Sequence, residues 1–376
     1  MKIPLIKPDL PPLDAVRAPF EEILSNGRIT NFGRYVQQFE AETGAYLNAS
    51  TVAVSSGTAG LIFALSALGL ERGAKVILPS FTFVASAQAI LAAGGVPLFA
   101  EVEDDLTLSP ADVAHLLAEH DDVGAVIAVH MYGLPARVHE LEALVAVESA
   151  RRGRKIPLIF DAAHAFGSAV GDQRVGGFGD AEVFSLSVTK VLVTVEGGLV
   201  STRNPELIST IRSMRNYGIH SNYNARFAGL NGKMSEFHAI VGLYNLGRIE
   251  SLMCERQKKA TYLRDAIERN TCFRLSCWPQ HVRHTFKDFT ILLPPEAQSR
   301  REALMQCLAD RGIETRAYFY PPVHEQDYFR QWATRPLPRT ETLSRMVLTL
   351  PFFTTLSDAE MEYMVESLKK AESECL

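Results

Sequence analysis

The sequence predicts an α/β protein, in which a mostly parallel sheet flanked by helices is followed by a smaller C-terminal α+β unit. Two observations lead there. From residue 51 to about 202, short apolar and β-branched runs alternate with longer stretches of helical periodicity. That alternation builds parallel sheets covered on both faces. After residue 202 it stops, and helical stretches, a polar loop and isolated strand-like runs take its place. With 376 residues, 47% of them hydrophobic, the chain can fill two units. We place residues 1–248 in the large unit, with an N-terminal arm, and 249–376 in the small one.

"TVAVSS" (51–56) reads as the first strand. Gly57 follows, and then "TAGLIFALSALGL", with Leu61, Ile62, Leu65 and Leu68 at helical spacing. "KVILP" (75–79), "VPLFAEV" (96–102), "GAVIAVH" (124–130) and "IPLIFDA" (156–162) read as further buried strands, and "EVFSLSVTK" (182–190) as another. Between them, "PADVAHLLAEH" (110–120) and "VHELEALVAVESARR" (138–152) are helical. "PELISTIRSMRNYG" continues the pattern to Gly218, and a polar loop spans 218–232. A long helical stretch starts at Ser235 and crosses to the small unit near residues 245–255. There, strand-like "DFTILLP" precedes helical "SRREALMQCLADRG".

Charge and cysteine usage exclude several classes. A net charge of −5 gives no basic surplus for nucleic acid or an acidic membrane surface. The five cysteines, Cys254, Cys272, Cys277, Cys307 and Cys375, form no CxxC pair and are odd in number. This argues against a disulfide framework or a metal site and for a reducing cytoplasm. Prolines interrupt the N-terminal "MKIPLIKPDLPPLDAV" where a signal peptide needs a continuous apolar core. No apolar run reaches membrane-spanning length.

Three strand ends carry polar residues, and open α/β sheets bind ligands at the carboxyl ends of their strands. "VAVSSGTAGL" is strand, glycine turn and helix, so the N–H groups of Gly57, Thr58 and Ala59 offer an anion site, with the Thr58 hydroxyl beside them. The alternative is a plain turn with a Ser or Thr cap. "IPLIFDAAHAFG" ends an apolar strand in Asp161, with His164 three residues on; a capped turn is the competing reading. "EVFSLSVTK" carries Ser185 and ends at Lys190, whose alternative is to snorkel to solvent. An anion cradle, a carboxylate and a lysine together are what pyridoxal phosphate needs for its phosphate, ring nitrogen and aldehyde.

The chain resembles the DegT/DnrJ/EryC1/StrS family of sugar aminotransferases, a branch of the fold-type-I, aspartate-aminotransferase-like pyridoxal phosphate enzymes. The resemblance rests on "LSNGRITNFGRYVQQFE" (24–40), "VSSGTAGL" (54–61), "LPSFTFVASAQAI" (78–90), "HMYGLPA" (130–136), "FDAAHAFGS" (160–168), "FGDAEVFSLSVTK" (178–190), "EGGLVST" (196–202), "GLNGKMSEFHAIVGL" (229–243) and "VLTLPFF" (347–353). It implies that Lys190 carries the cofactor as a Schiff base and then moves the proton. Asp161 pairs with the ring nitrogen, Phe83 stacks on the ring and His164 sits beside it. Thr58, Ala59 and Ser185 hold the phosphate, with Gly57 giving the tight turn. Asn231 reaches the phosphate from a neighbouring subunit, which implies a homodimer with shared sites. Thr30 and Lys233 become candidates for substrate contact. Two departures stand out. Gly232 and Lys233 replace an aromatic residue and an arginine usual after this asparagine, and Val188 replaces a usual proline.

The implied reaction moves an amino group from L-glutamate to a nucleotide-linked keto-sugar. "DAAH" resembles members that aminate C4, which points to a 4-keto-6-deoxy sugar. Amination at C3, a carbocyclic ketone as acceptor and a non-catalytic cofactor-binding regulator are the alternatives. A dehydratase of the same family has histidine where Lys190 stands. A dinucleotide-binding domain wants a GxGxxG turn that "SSGTAG" does not supply.

Overall fold

The structure, a computed structural model, describes residues 1–276, 279 and 281–376. Its main sheet has seven strands: β1 (Ser50–Val54), β2 (Lys75–Pro79), β3 (Val96–Ala100), β4 (Val123–Val129), β5 (Leu158–Asp161), β6 (Ala181–Ser185) and β7 (Gly198–Thr202), in the order β1-β7-β6-β5-β4-β2-β3. β7 runs antiparallel to both neighbours, and all other pairs are parallel. Its direction follows from its connection. Parallel neighbours need a long crossover, usually a helix. Residues 186–197 instead fold back as a loop, tied by Leu186 N–H to Gly197 O (2.9 Å) and Thr194 N–H to Leu186 O (2.8 Å). Lys190 sits on that loop.

Both faces of the sheet are buried, which explains the continuous apolar runs. In β4, Val126 and Ala128 join the core under the helices Arg34–Leu47, Pro110–Glu119 and Val138–Arg152. Ala125 and Ile127 join the opposite core, beneath Gly57–Ala67, Val84–Ala92 and Pro205–Met214. Fully buried side chains such as Phe160 and Ile127 contribute on the order of 2–3 kcal/mol each relative to exposure. Helix starts follow their caps. Ser109 precedes Pro110 and accepts from Asp112 N–H, Asn204 accepts from Glu206 and Leu207 N–H, and Ser357 with Glu360 forms a capping box.

The long C-terminal helical stretch breaks at Gly247 into Glu236–Leu246 and Ile249–Asn270. Ile249 and Met253 pack under the main sheet, while Ala260, Leu263 and Ile267 enter a separate core. That core covers an antiparallel sheet of β8 (Arg274–Leu275), β9 (Phe289–Leu292) and β10 (Val347–Leu350). The N-terminal arm joins it as well: Ile3 is fully buried there and bridges to Ile313. The polar loop contains a short hairpin, Ile219–Ser221 with Asn224–Ala225. Cys254, Cys272, Cys307 and Cys375 are free thiols; Cys277 lies outside the described residues. Among the described residues no helix is long and apolar enough to cross a membrane. His324, Glu325 and Glu341 lie close enough to share an ion, but His324 is engaged by Ser80 Oγ (2.6 Å) and Glu341 (3.4 Å), and Glu325 by Arg345 (3.2 Å).

Candidate active site

The carboxyl ends of β1, β5 and β6 open onto one cavity of about 390 Å³. At the end of β1, Ser56 is extended (φ −164°, ψ 162°) and caps the helix Gly57–Ala67 by accepting from Ala59 N–H (3.1 Å). The N–H groups of Gly57 and Thr58 stand at a helix start, without intrahelical partners. In this structure the Ala59 N–H is taken by the Ser56 hydroxyl, and the Ala59 side chain is buried. Gly57 is needed for close approach: a Cβ there would lie 3.1 Å from Ser185 Cβ. Gly57 is not among the residues at positive φ.

Asp161 ends β5 and is buried. Its Oδ2 accepts from Ser86 Oγ (2.6 Å) and its Oδ1 from Ala163 N–H (3.1 Å). Burial raises its pKa, opposed by those two hydrogen bonds and by Lys190 and His130. A carboxylate held this way is best satisfied by a protonated nitrogen. Lys190 is half-buried by exposure, yet its surroundings are dry enough that burial is the largest effect on it. Lys287 adds to that effect, Asp288, Asp161 and Glu196 oppose it, and its pKa falls to about 8. Its neutral, nucleophilic form is therefore within reach near neutral pH.

His164 is buried, and its Nδ1 has no partner among the described residues. Burial first, then the charges of Lys190 and Lys287 and the neighbouring His284, push its pKa well below the ordinary value, so it is neutral. Its ring lies nearly parallel to Phe319 (6.2 Å, 13°). Phe83 lines the cavity with 57% of its surface open, a large apolar ring left uncovered at a cleft. Ser185, at the end of β6, lines the same cavity.

Gly57, Thr58, Phe83, Asp161, His164, Ser185 and Lys190 are thus brought together. Thr30, Asn231 and Lys233 do not line this cavity. Thr30 and Asn231 are exposed, and the Lys233 ammonium lies over the Tyr217 ring (4.9 Å). The wall also includes Ser187, Thr189, Glu196, Lys287, Tyr318 and Phe319, which the sequence reading missed. Lys287 and Asp288 carried a readable signal, two adjacent charges entering the apolar run "FTILLP". Ser86 carried none, because its partner is 75 residues away.

Pyridoxal phosphate fits these groups. The N–H groups of Gly57 and Thr58, with the hydroxyls of Thr58 and Ser185, suit a phosphate. The dry carboxylate suits a ring nitrogen, the open face of Phe83 a flat ring, and the unpartnered His164 nitrogen a polar substituent. Few ligands ask for all of them beside a lysine of lowered pKa. Fold and site together define an aminotransferase that works with pyridoxal phosphate. The chain belongs to the DegT/DnrJ/EryC1/StrS aminotransferase family, whose model matches residues 14–369. It is 31% identical to a GDP-perosamine synthase of Escherichia coli O157:H7, over 93% of each chain. It is 30% identical to a UDP-N-acetyl-3-dehydro-alpha-D-glucosamine 3-aminotransferase of Acidithiobacillus ferrooxidans, over 96% of this chain and 97% of that one. Among solved structures, DesI in the presence of its TDP-sugar product matches with a TM-score of 0.90 and 29% identity, over 99% of this chain and 93% of that one.

Proposed function

We propose that the protein transfers an amino group from L-glutamate to the ketone of a nucleotide-linked sugar, a 4-keto-6-deoxyhexose that becomes a 4-amino-4,6-dideoxy sugar. The observation that carries the proposal is the convergence of Lys190, Asp161 and the Gly57–Thr58 turn on one cavity, in a chain whose relatives are named for nucleotide sugars. Their names carry GDP and UDP, and DesI's product TDP, so the nucleotide stays open. His164 in "DAAH" supports C4. The 3-aminotransferase relative supports amination at C3 as a second reading.

Pyridoxal phosphate, when bound, supplies a carbonyl that takes up and gives back the amino group and a ring that accepts the electron pair released on proton loss. The chain's part follows from its own residues. Gly57 and Thr58 N–H, with the Thr58 and Ser185 hydroxyls, hold the phosphate. Asp161, fixed by Ser86 and Ala163, keeps the ring nitrogen protonated. Phe83 closes one face of the cleft. Lys190 holds the cofactor between turnovers and moves a proton at its Nζ in each half-reaction, the general acid–base role for which a pKa near neutrality suits it.

The active form in this proposal is a homodimer whose sites are completed across the interface. Asn231 is exposed and does not line its own chain's cavity, and Tyr217, Tyr223, Phe227 and Leu230, near it in sequence, are exposed. A cluster of uncovered apolar side chains is the mark of a contact surface. The test of the reaction is a product assay. A panel of nucleotide-linked 4-keto and 3-keto sugars is incubated with ¹⁵N-glutamate and analysed by mass spectrometry and NMR. Label at C4 is expected. Label at C3, or turnover confined to carbocyclic ketones, would overturn the substrate assignment.

A further inference from the structure

Two of the residues lining the cavity carry an ammonium, Lys190 and Lys287. The first is committed to the cofactor. We propose that Lys287, held at the wall by Asp288, is the cation that receives a carboxylate of the amino donor; this rests on the transamination reading above. Lys287 lines both the main cavity and a small one behind Lys190. Its side chain is only 5% exposed and that of Asp288 3%, with Nζ donating to Asp288 Oδ1 at 2.7 Å. Tyr318, which lines the cavity with it, has its ring 5.8 Å from the ammonium.

A buried ion pair between sequence neighbours is a poor stabiliser, since desolvating two charges offsets most of their attraction. Asp288 Oδ2 has no partner among the described residues, so the acid serves this lysine alone. An ammonium has three donors. Asp288 takes one, and among the described residues no other acceptor engages the rest. Lys287 lines the cavity together with Lys190 and Asp288 does not, so the cation of the pair is the member on the cavity side. The other charged wall residues are Asp161 and Glu196, which repel a carboxylate. Lys233, the cation the sequence suggested, does not line this chain's cavity.

The test compares holoenzyme half-reactions of the wild type, Lys287→Met, Lys287→Arg and the double variant Lys287→Met/Asp288→Asn, which leaves no lone buried charge. Cofactor absorbance is followed with L-glutamate and, separately, with the amino-sugar nucleotide. Loss of a charge-assisted bond predicts that half-saturation by glutamate rises about ten- to a hundredfold in both Met-containing variants. The limiting rate and the amino-sugar half-reaction should change little, and Lys287→Arg should recover much of the loss. Calorimetric titration with glutarate, a dicarboxylate without an amine, should show the same weakening. Equal losses for both substrates, a selective loss for the nucleotide sugar or unchanged glutamate dependence would each overturn the proposal. A wild type inert towards glutamate would instead overturn the assignment of L-glutamate as donor, on which the proposal rests.

Discussion

At the scale of single residues, the site depends on charges placed where water is scarce. The sequence exposed Lys190 and Asp161 because each is an isolated charge in an apolar run. It concealed Ser86, the partner of Asp161, which reaches it only through the fold, and it did not show that the Lys287 charge lies close enough to act on Lys190. Asp161→Asn should still bind cofactor yet lose about a hundredfold or more in turnover, the scale of losing one preorganised electrostatic partner. Steady-state assays with retained absorbance would check this, and near-normal turnover would make Asp161 a structural cap. Ser86→Ala leaves a buried carboxylate one donor short and should cost about 1–3 kcal/mol in denaturant unfolding of the cofactor-free protein. Lys190 gives a pH signature. Its pKa in the folded, cofactor-free protein is about 8, against an ordinary 10.5. The neutral amine attacks, so cofactor uptake should accelerate as pH rises through about 8 and level off above it. The sign for stability follows from the same values. Between about 8 and 10.5 the unfolded chain holds more protons than the folded one, so this group's penalty is full below that window and is relieved through it.

Among elements, the strands and helices around the site were legible because both faces of the sheet are buried and its runs are uniformly apolar. The helix 138–152 falls as read, and most strand ends shift by one or two residues, but the run read as a strand over 182–190 stops at Ser185, so Lys190 sits on the loop beyond it and not on a strand end. The direction of β7 was not legible, since apolar content says nothing of orientation and only the tied loop 186–197 decides it. Nor was the place of Ile3 in the C-terminal core, because an apolar stretch as short as "IPLI", broken by a proline, carries no period. The close fit of β7 to the phosphate turn is testable. A Cβ on Gly198 would fall against the carbonyl of Ser56. Gly198→Ala should therefore cost about 1–3 kcal/mol of stability by overpacking and weaken pyridoxal phosphate binding by displacing Gly57 and Thr58. A thermal melt and a fluorescence titration would read the two effects, and unchanged cofactor affinity would detach the turn from the phosphate.

For the whole molecule, a shared site predicts complementation. Lys190→Ala and Asn231→Asp chains should each be impaired, the second because a carboxylate would face the cofactor phosphate. Mixed dimers would hold one site with both lesions and one with neither, so activity should return on mixing. No recovery after confirmed subunit exchange would argue that each chain completes its own site. The central claim is that, of every lysine in the folded chain, Lys190 carries the cofactor, because it alone pairs a lowered pKa with a place beside the anion turn and Asp161. Borohydride reduction of the intact holoprotein, followed by peptide mapping, tests this most directly. The account predicts the pyridoxyl group on the peptide containing Lys190 and loss of the cofactor absorbance. The adduct on Lys287, Lys233 or any other lysine would contradict it.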